Sequence, residues 1–150
     1  MASLPTQNRT IKDVIKEEYK RCASDPVYFM RKYCKIQHPT KGKMRFELFP
    51  FQEKTLKEFE RNRYNIVLKS RQTGISTLTA GFSLWKMTFN ADYNVLVIAI
   101  KQEVAKNLVT KVRVMYEGLP GWLKVNEVED NKLSLRLANG SQIKAVAASP

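Results

Sequence analysis

Histidine is almost missing from this chain: His38 stands alone among 150 residues. One imidazole leaves no basis for a histidine-built metal site or a histidine-dependent catalytic triad. Cysteine is nearly as scarce. Cys22 and Cys34 are far apart and form no C-x-x-C pattern, so they read as reduced thiols rather than a disulfide framework or a zinc site. No apolar run approaches the ~20 residues that cross a bilayer. The opening "MASLPTQNRTIKDVIKEEYK" has no apolar signal core, so neither a membrane partner nor secretion is expected. Acid is the minority charge: 14 Asp+Glu face 26 Lys+Arg, a net charge of +12. That excess favours polyanions such as nucleic acid or nucleotide phosphates. The basic residues are spread through nearly every segment, and a solvated basic face is the plainer alternative.

What is present falls into two styles. "TIKDVIKEEYKRCA" carries Ile11, Val14, Ile15 and Tyr19 at helical spacing, with Thr10 as N-cap. "SDPVYFMRKYCKI" starts a second helix, capped by Ser24 or Asp25, with Pro26 in its first turn. "QHPTKGKM" breaks the chain, "RFELFPF" reads as a strand, and "QEKTLKEFERNR" as a third helix burying Leu56 and Phe59. From Tyr64 onward strand and helix alternate. "YNIVLK" reads as a short strand and "SRQTG" as a loop. "ISTLTAGFSLWKMTF" is a helix with Leu78, Phe82, Trp85 and Phe89 on one stripe. "YNVLVIAI" reads as a strand buried on both faces. "KQEVAKNLVTKVRVMYEGL" is a helix, and "KLSLRLANGSQIKAVAAS" a hairpin around Asn139-Gly140. Alternation of this kind implies a parallel sheet with crossover helices.

The chemistry gathers at the strand-loop-helix junction. A helix N-terminus presents free N–H groups and the positive end of its dipole, which suits phosphate. Against the pattern G-x-x-x-x-G-K-[ST], Gly74 takes the second glycine and Ser76 the Mg²⁺-binding hydroxyl. Lys69 falls on the first glycine, and Ile75 stands where the lysine belongs. The cations sit at the front instead, as Lys69 and Arg71, either of which could reach the β/γ-phosphates. The pattern is loose, and an ordinary β-α turn remains the alternative. Phe51 and Gln52, one helix upstream, suit an adenine platform and edge-reader; the alternatives are a core aromatic and a helix-start residue.

"FPFQEKTL", "YNIVLKSRQTGIST", "NVLVIAIKQEVAKNL" and "LRLANGSQIKAVAASP" occur in this order in large terminase subunits of tailed bacteriophages. The chain resembles that family from about Asp25 to Pro150. The resemblance implies an α/β fold, an ASCE-type P-loop NTPase with a parallel sheet flanked by helices. Residues 1–45 would be an N-terminal helical segment and 46–150 the first part of the ATPase domain. It implies ATP and Mg²⁺ as cofactors. Phe51, Gln52, Lys69, Ser70, Arg71, Gln72, Thr73, Gly74, Ile75, Ser76 and Thr77 would form the nucleotide site, with Lys69 and Arg71 as phosphate cations and Ser76 as metal ligand. Several family members carry their lysine at the front of the loop, as Lys69 does here; others keep it after the glycine. The implied partners are double-stranded DNA, a portal protein, a small terminase subunit and further copies in a ring. The implied location is the bacterial host cytoplasm, transiently on the procapsid. In the family a trans arginine, the Walker B acids and an RNase H-like nuclease domain lie beyond the position of Pro150. Residues 1–150 alone are therefore expected to bind ATP more readily than they hydrolyse it. Glu103, opening a helix after a strand, is the one acid placed where a base could sit; a helix-start acid favoured by the dipole is the simpler reading.

Two other readings fit the same residues: a helicase-type DNA-dependent ATPase, and a non-catalytic basic nucleic-acid-binding module. All three share one expectation. The chain should bind duplex DNA weakly, without sequence preference. Log affinity should fall with log salt at a slope of roughly −0.9 per phosphate neutralised. A slope near zero in a salt titration would remove the electrostatic argument.

Overall fold

The computed structural model describes residues 9–148. Helix α1 (Ile11–Ser24) begins where the sequence says it should. Thr10 Oγ1 accepts from Asp13 N–H, and Asp13 Oδ2 accepts from Thr10 N–H, a reciprocal capping box. Asp25 closes α1 and caps α2 (Pro26–Tyr33), whose first residue needs no N–H donor. Glu18 ties the two together. Its Oε1 accepts from Tyr28 Oη, Lys32 Nζ and Tyr33 Oη, at 2.7, 2.7 and 2.6 Å. Those bonds, led by Lys32, hold the Glu18 carboxyl down to about 2.

The break read at "QHPTKGKM" is instead the turn of a hairpin. Strand β1 (Lys35–His38) pairs antiparallel with β2 (Gly42–Arg45). His38 Nδ1 accepts the N–H groups of Thr40 and Lys41, which folds the turn back on itself. "RFELFPF" then contributes only its first residue to a strand. Helix α3 (Pro50–Arg61) starts inside it, because Pro50 suits the first helical position.

Helix α4 (Ile75–Phe89) matches its expected bounds and is the most buried element of the chain. Leu78, Ala80, Leu84 and Met87 are fully enclosed. Trp85 Nε1 donates to Cys22 O at 2.8 Å, fastening α1 to it. Phe89 packs in T-shaped contacts with Tyr19 and Phe29. Strand β3 (Asn94–Ala99) follows, then α5 (Gln102–Glu117), which packs on α4 and on the sheet.

The sheet runs β3-β6-β5-β4, with β4 (Glu127–Asn131), β5 (Ser134–Leu137) and β6 (Gln142–Ala147). Only β3 and β6 are parallel; β6 with β5 and β5 with β4 are antiparallel. The sheet is thus mixed rather than parallel throughout. The hairpin around Asn139-Gly140 forms as expected. The strand β4 was not legible, since "EVEDN" is polar and exposed along its whole length.

Two other expectations fail. "YNIVLK" forms no strand: residues 64–69 are in no regular element and pair with no strand, with Ile66 and Leu68 wholly exposed at 100% and 101%. An apolar run becomes a strand only where another strand accepts its ladder of hydrogen bonds, and none of the four lies beside it. Strand β3 is not buried on both faces either. Val95, Val97 and Ala99 pack against the core, while Leu96 and Ile98 are 59% and 60% exposed. Helix α5 covers one face, and no described element covers the other.

The far end of α4 is fixed by the hairpin turn. Asn139 Nδ2 donates to Met87 O at 2.7 Å and Asn90 O at 3.3 Å, while Ser141 Oγ donates to Asn90 O at 2.6 Å. These carbonyls lie where a helix end leaves acceptors unmatched. Gly140 has φ +84°, and a Cβ there would lie 2.0 Å from Asp92 Oδ1. Asn139→Ala should lower unfolding stability by about 1–3 kcal/mol, because it leaves the Met87 carbonyl without its partner. Gly140→Ala should cost more, since it adds backbone strain to a clash. A denaturant midpoint unchanged in Asn139→Ala would show that the turn does not secure α4.

Candidate functional site

The loop sits between an exposed irregular run and the buried start of α4. Gln72 and Gly74 both take left-handed backbone, at φ 60° and 73°. That reverses the chain over Arg71–Gly74 and brings it into the helix. Gly74 is the N-cap residue, and no side chain caps α4. The first N–H groups of a helix have no intrahelical partner. Here they are left without the Ser, Thr, Asp or Asn oxygen that usually serves them. An uncapped N-terminus behind a glycine is the arrangement that accepts an external anion.

Ile75 explains why its position carries no cation. Its side chain is 9% exposed and belongs to the core with Leu78. A lysine there would have to leave its packing partners to meet a phosphate. Ser76, one residue on, is exposed, and Thr77 is half-buried. Lys69 and Arg71 are both exposed, and Lys69 Nζ lies 3.5 Å from Ser70 O, folded back over the loop. Neither makes an ion pair among the described residues. Thr73 Oγ1 donates to Ser70 O at 3.4 Å, closing the loop on itself.

Gln52 is brought to the loop, in a different posture from an edge-reader of a base. It is 2% exposed. Its Oε1 accepts from Phe49 N–H at 2.9 Å, and its Nε2 donates to Thr73 O at 3.0 Å. The amide thus clamps the start of α3 to the loop. The contact is close: a Cβ on Gly74 would lie 2.5 Å from Gln52 Nε2. Glycine is therefore required twice, for its φ and for this approach. Phe51 is exposed, and its ring lies parallel to that of Phe49, 5.9 Å away.

A groove of about 450 Å³ runs beside the loop. It is lined by Gln52, Gln72, Thr73, Gly74 and Thr77 of the loop region and by His38, Arg45, Glu47 and Phe49. The latter residues come from the β1-β2 hairpin and the segment after it, a contribution that sequence reading missed. The alternation in "KIQH" and "GKMR" was the available signal, masked by Pro39 and a high lysine content. Of the nearby acids, Glu53 is paired with Arg31, Glu47 lines the groove, and Glu103 is exposed in the first turn of α5.

The donor set fits a phosphate anion: uncapped N–H groups, two cations without carboxylate partners among the described residues, a glycine that admits close approach, and an exposed hydroxyl. The fold around it is of the phage-terminase type. The crystal structure of the HK97 bacteriophage large terminase resembles it with a TM-score of 0.64 at 20% identity, over 85% of this chain. The chain spans 28% of that protein's length. No protein-family model matches the sequence.

The clamp makes a prediction. Gln52→Ala removes both bonds. Gln52→Glu keeps an acceptor for Phe49 N–H but sets a second acceptor against Thr73 O. Both should speed amide hydrogen exchange across residues 70–76, with Gln52→Ala costing about 1–3 kcal/mol of stability. Wild-type exchange in both variants would mean that the loop holds its shape without the clamp.

Proposed function

We propose that this chain is the nucleotide-binding part of a terminase-like motor, an ATPase that drives double-stranded DNA into a procapsid. The observation that carries the reading is the junction at α4: an uncapped helix start behind Gly74, with Ile75 turned into the core and Lys69 and Arg71 without counter-ions among the described residues. The similarity of the overall fold to that of a phage large terminase supports it. The net charge of +12 suits a polyanionic track.

In this reading the loop N–H groups and the α4 dipole bind the phosphates. Lys69 supplies a point charge and Arg71 a planar fork. Ser76 offers the hydroxyl for Mg²⁺, and Thr77 lies toward the α-phosphate. Phe51 and Phe49 offer an apolar surface for the base. Gln52 holds the loop in register, a positioning role. Bound Mg²⁺-ATP supplies the phosphoanhydride whose cleavage powers such a motor. The carboxylate that orients water and the trans arginine that meets developing charge would come from parts of the protein or its partners outside these residues. A portal protein, a small terminase subunit and further copies in a ring complete the proposed machine, in the host cytoplasm and on the procapsid.

The test is Mg²⁺-ATP binding, followed with a fluorescent analogue. Wild type should bind. Lys69→Ala should weaken binding by tenfold or more, since a charge-assisted bond is worth about 1.5–3 kcal/mol. Arg71→Ala should weaken it less. A dead Arg71→Ala beside an unaffected Lys69→Ala would reverse the two roles. Full affinity in both, or no binding by wild type, would overturn the reading.

A further inference from the structure

Helix α5 brings a third cation to the loop, one outside the loop motif. Lys111 Nζ lies 3.5 Å from Thr77 Oγ1, across 34 residues of sequence. The approach follows from the packing of α5 against α4. A second cavity, of about 230 Å³, opens between α5 and β1, lined by Lys35, Gln37, Thr110 and Lys111. Thr77 and Ile36 line both this cavity and the loop groove, so the two meet at Thr77.

The charge environment separates Lys111 from its neighbours. Arg113, two residues on, is held by Asp130 and by Asn131 O. Lys111 has no carboxylate within ion-pair distance among the described residues. A lysine ammonium has donors only. Its bond to Thr77 therefore fills an acceptor site on that hydroxyl and leaves the hydroxyl proton to point elsewhere. The outcome is two donors, Nζ and Oγ1, side by side at the third residue of α4. Lys69 and Arg71 stand at the other end of the loop, ahead of Gly74. A polyphosphate laid along the loop would meet cations at both ends.

We infer that Lys111 is a nucleotide-binding residue, contacting the phosphate nearest the nucleoside together with Thr77, while Lys69 and Arg71 serve the distal phosphates. The inference rests on the nucleotide-binding reading above. Lys111 contributes to affinity for diphosphate and triphosphate alike, because both carry the proximal phosphate. Lys69 contributes more to triphosphate.

The experiment compares ATP and ADP binding, with Mg²⁺ and at fixed ionic strength, in wild type, Lys111→Ala, Lys111→Arg, Lys69→Ala and Lys106→Ala. Lys106 is also on α5 and lines neither cavity. Lys111 is exposed, so its replacement should leave folding intact, as circular dichroism would register. Lys111→Ala should weaken ATP and ADP by the same factor, tenfold or more, with Lys111→Arg largely restored. Lys69→Ala should weaken ATP more than ADP, and Lys106→Ala should match wild type. Unchanged affinities in Lys111→Ala beside a wild type that binds would overturn this inference alone. So would a loss confined to ATP, or an equal loss in Lys106→Ala, which would reduce the effect to net charge. Failure of wild type to bind either nucleotide would overturn the underlying reading, and this inference with it.

Discussion

The structure depends on α4 being held at both ends. At its start, the Gln52 amide joins the backbone of Phe49 to the carbonyl of Thr73, locking α3 to the loop. At its finish, Asn139 and Ser141 take up the carbonyls of Met87 and Asn90. Between them the helix is buried along most of its length. A helix fixed in this way points its uncapped N-terminus in one direction. The groove, the cations and the hairpin wall are placed relative to that direction.

The loop resolves a conflict between packing and charge. A residue immediately after the glycine can point into the core or toward a phosphate. Here it points into the core as Ile75, beside Leu78, where burial of an aliphatic side chain contributes about 1.5–3 kcal/mol. The positive charge nearby lies on residues free of the core: Lys69 before the loop and Arg71 within it, both exposed. Exposure keeps these side chains hydrated and uncommitted, which lets them turn to an anion at little cost.

Much of the helical architecture was legible in sequence, for local reasons. Thr10 with Asp13, Asp25 with Pro26, and the apolar stripe from Leu78 to Phe89 are signals read over one or two helical turns. The Asn139-Gly140 turn is equally local. Strands were legible only in part. "NIVL" and "NVLVIAI" have the composition of buried strands, yet one forms no ladder and the other leaves Leu96 and Ile98 uncovered. "EVEDN" has the wrong composition and is a strand all the same. Strand identity depends on a neighbour that composition does not name. The same holds for the candidate site: the grouping of Gly74, Ser76, Lys69 and Arg71 follows from spacing, whereas the clamp posture of Gln52 depends on how α3 meets the loop.

The sequence by itself determined the caps that start α1 and α2, the bounds of α4, the hairpin turn and the basic balance of charge. Each of these is set by residues within a few positions of one another or by composition. Tertiary structure alone decided which face of β3 is covered, that the sheet is mixed, that the β1-β2 hairpin walls the loop, and that Lys111 stands over Thr77. These involve partners tens of residues apart. Their meeting is fixed by how apolar faces pack, and no local pattern encodes that angle or distance.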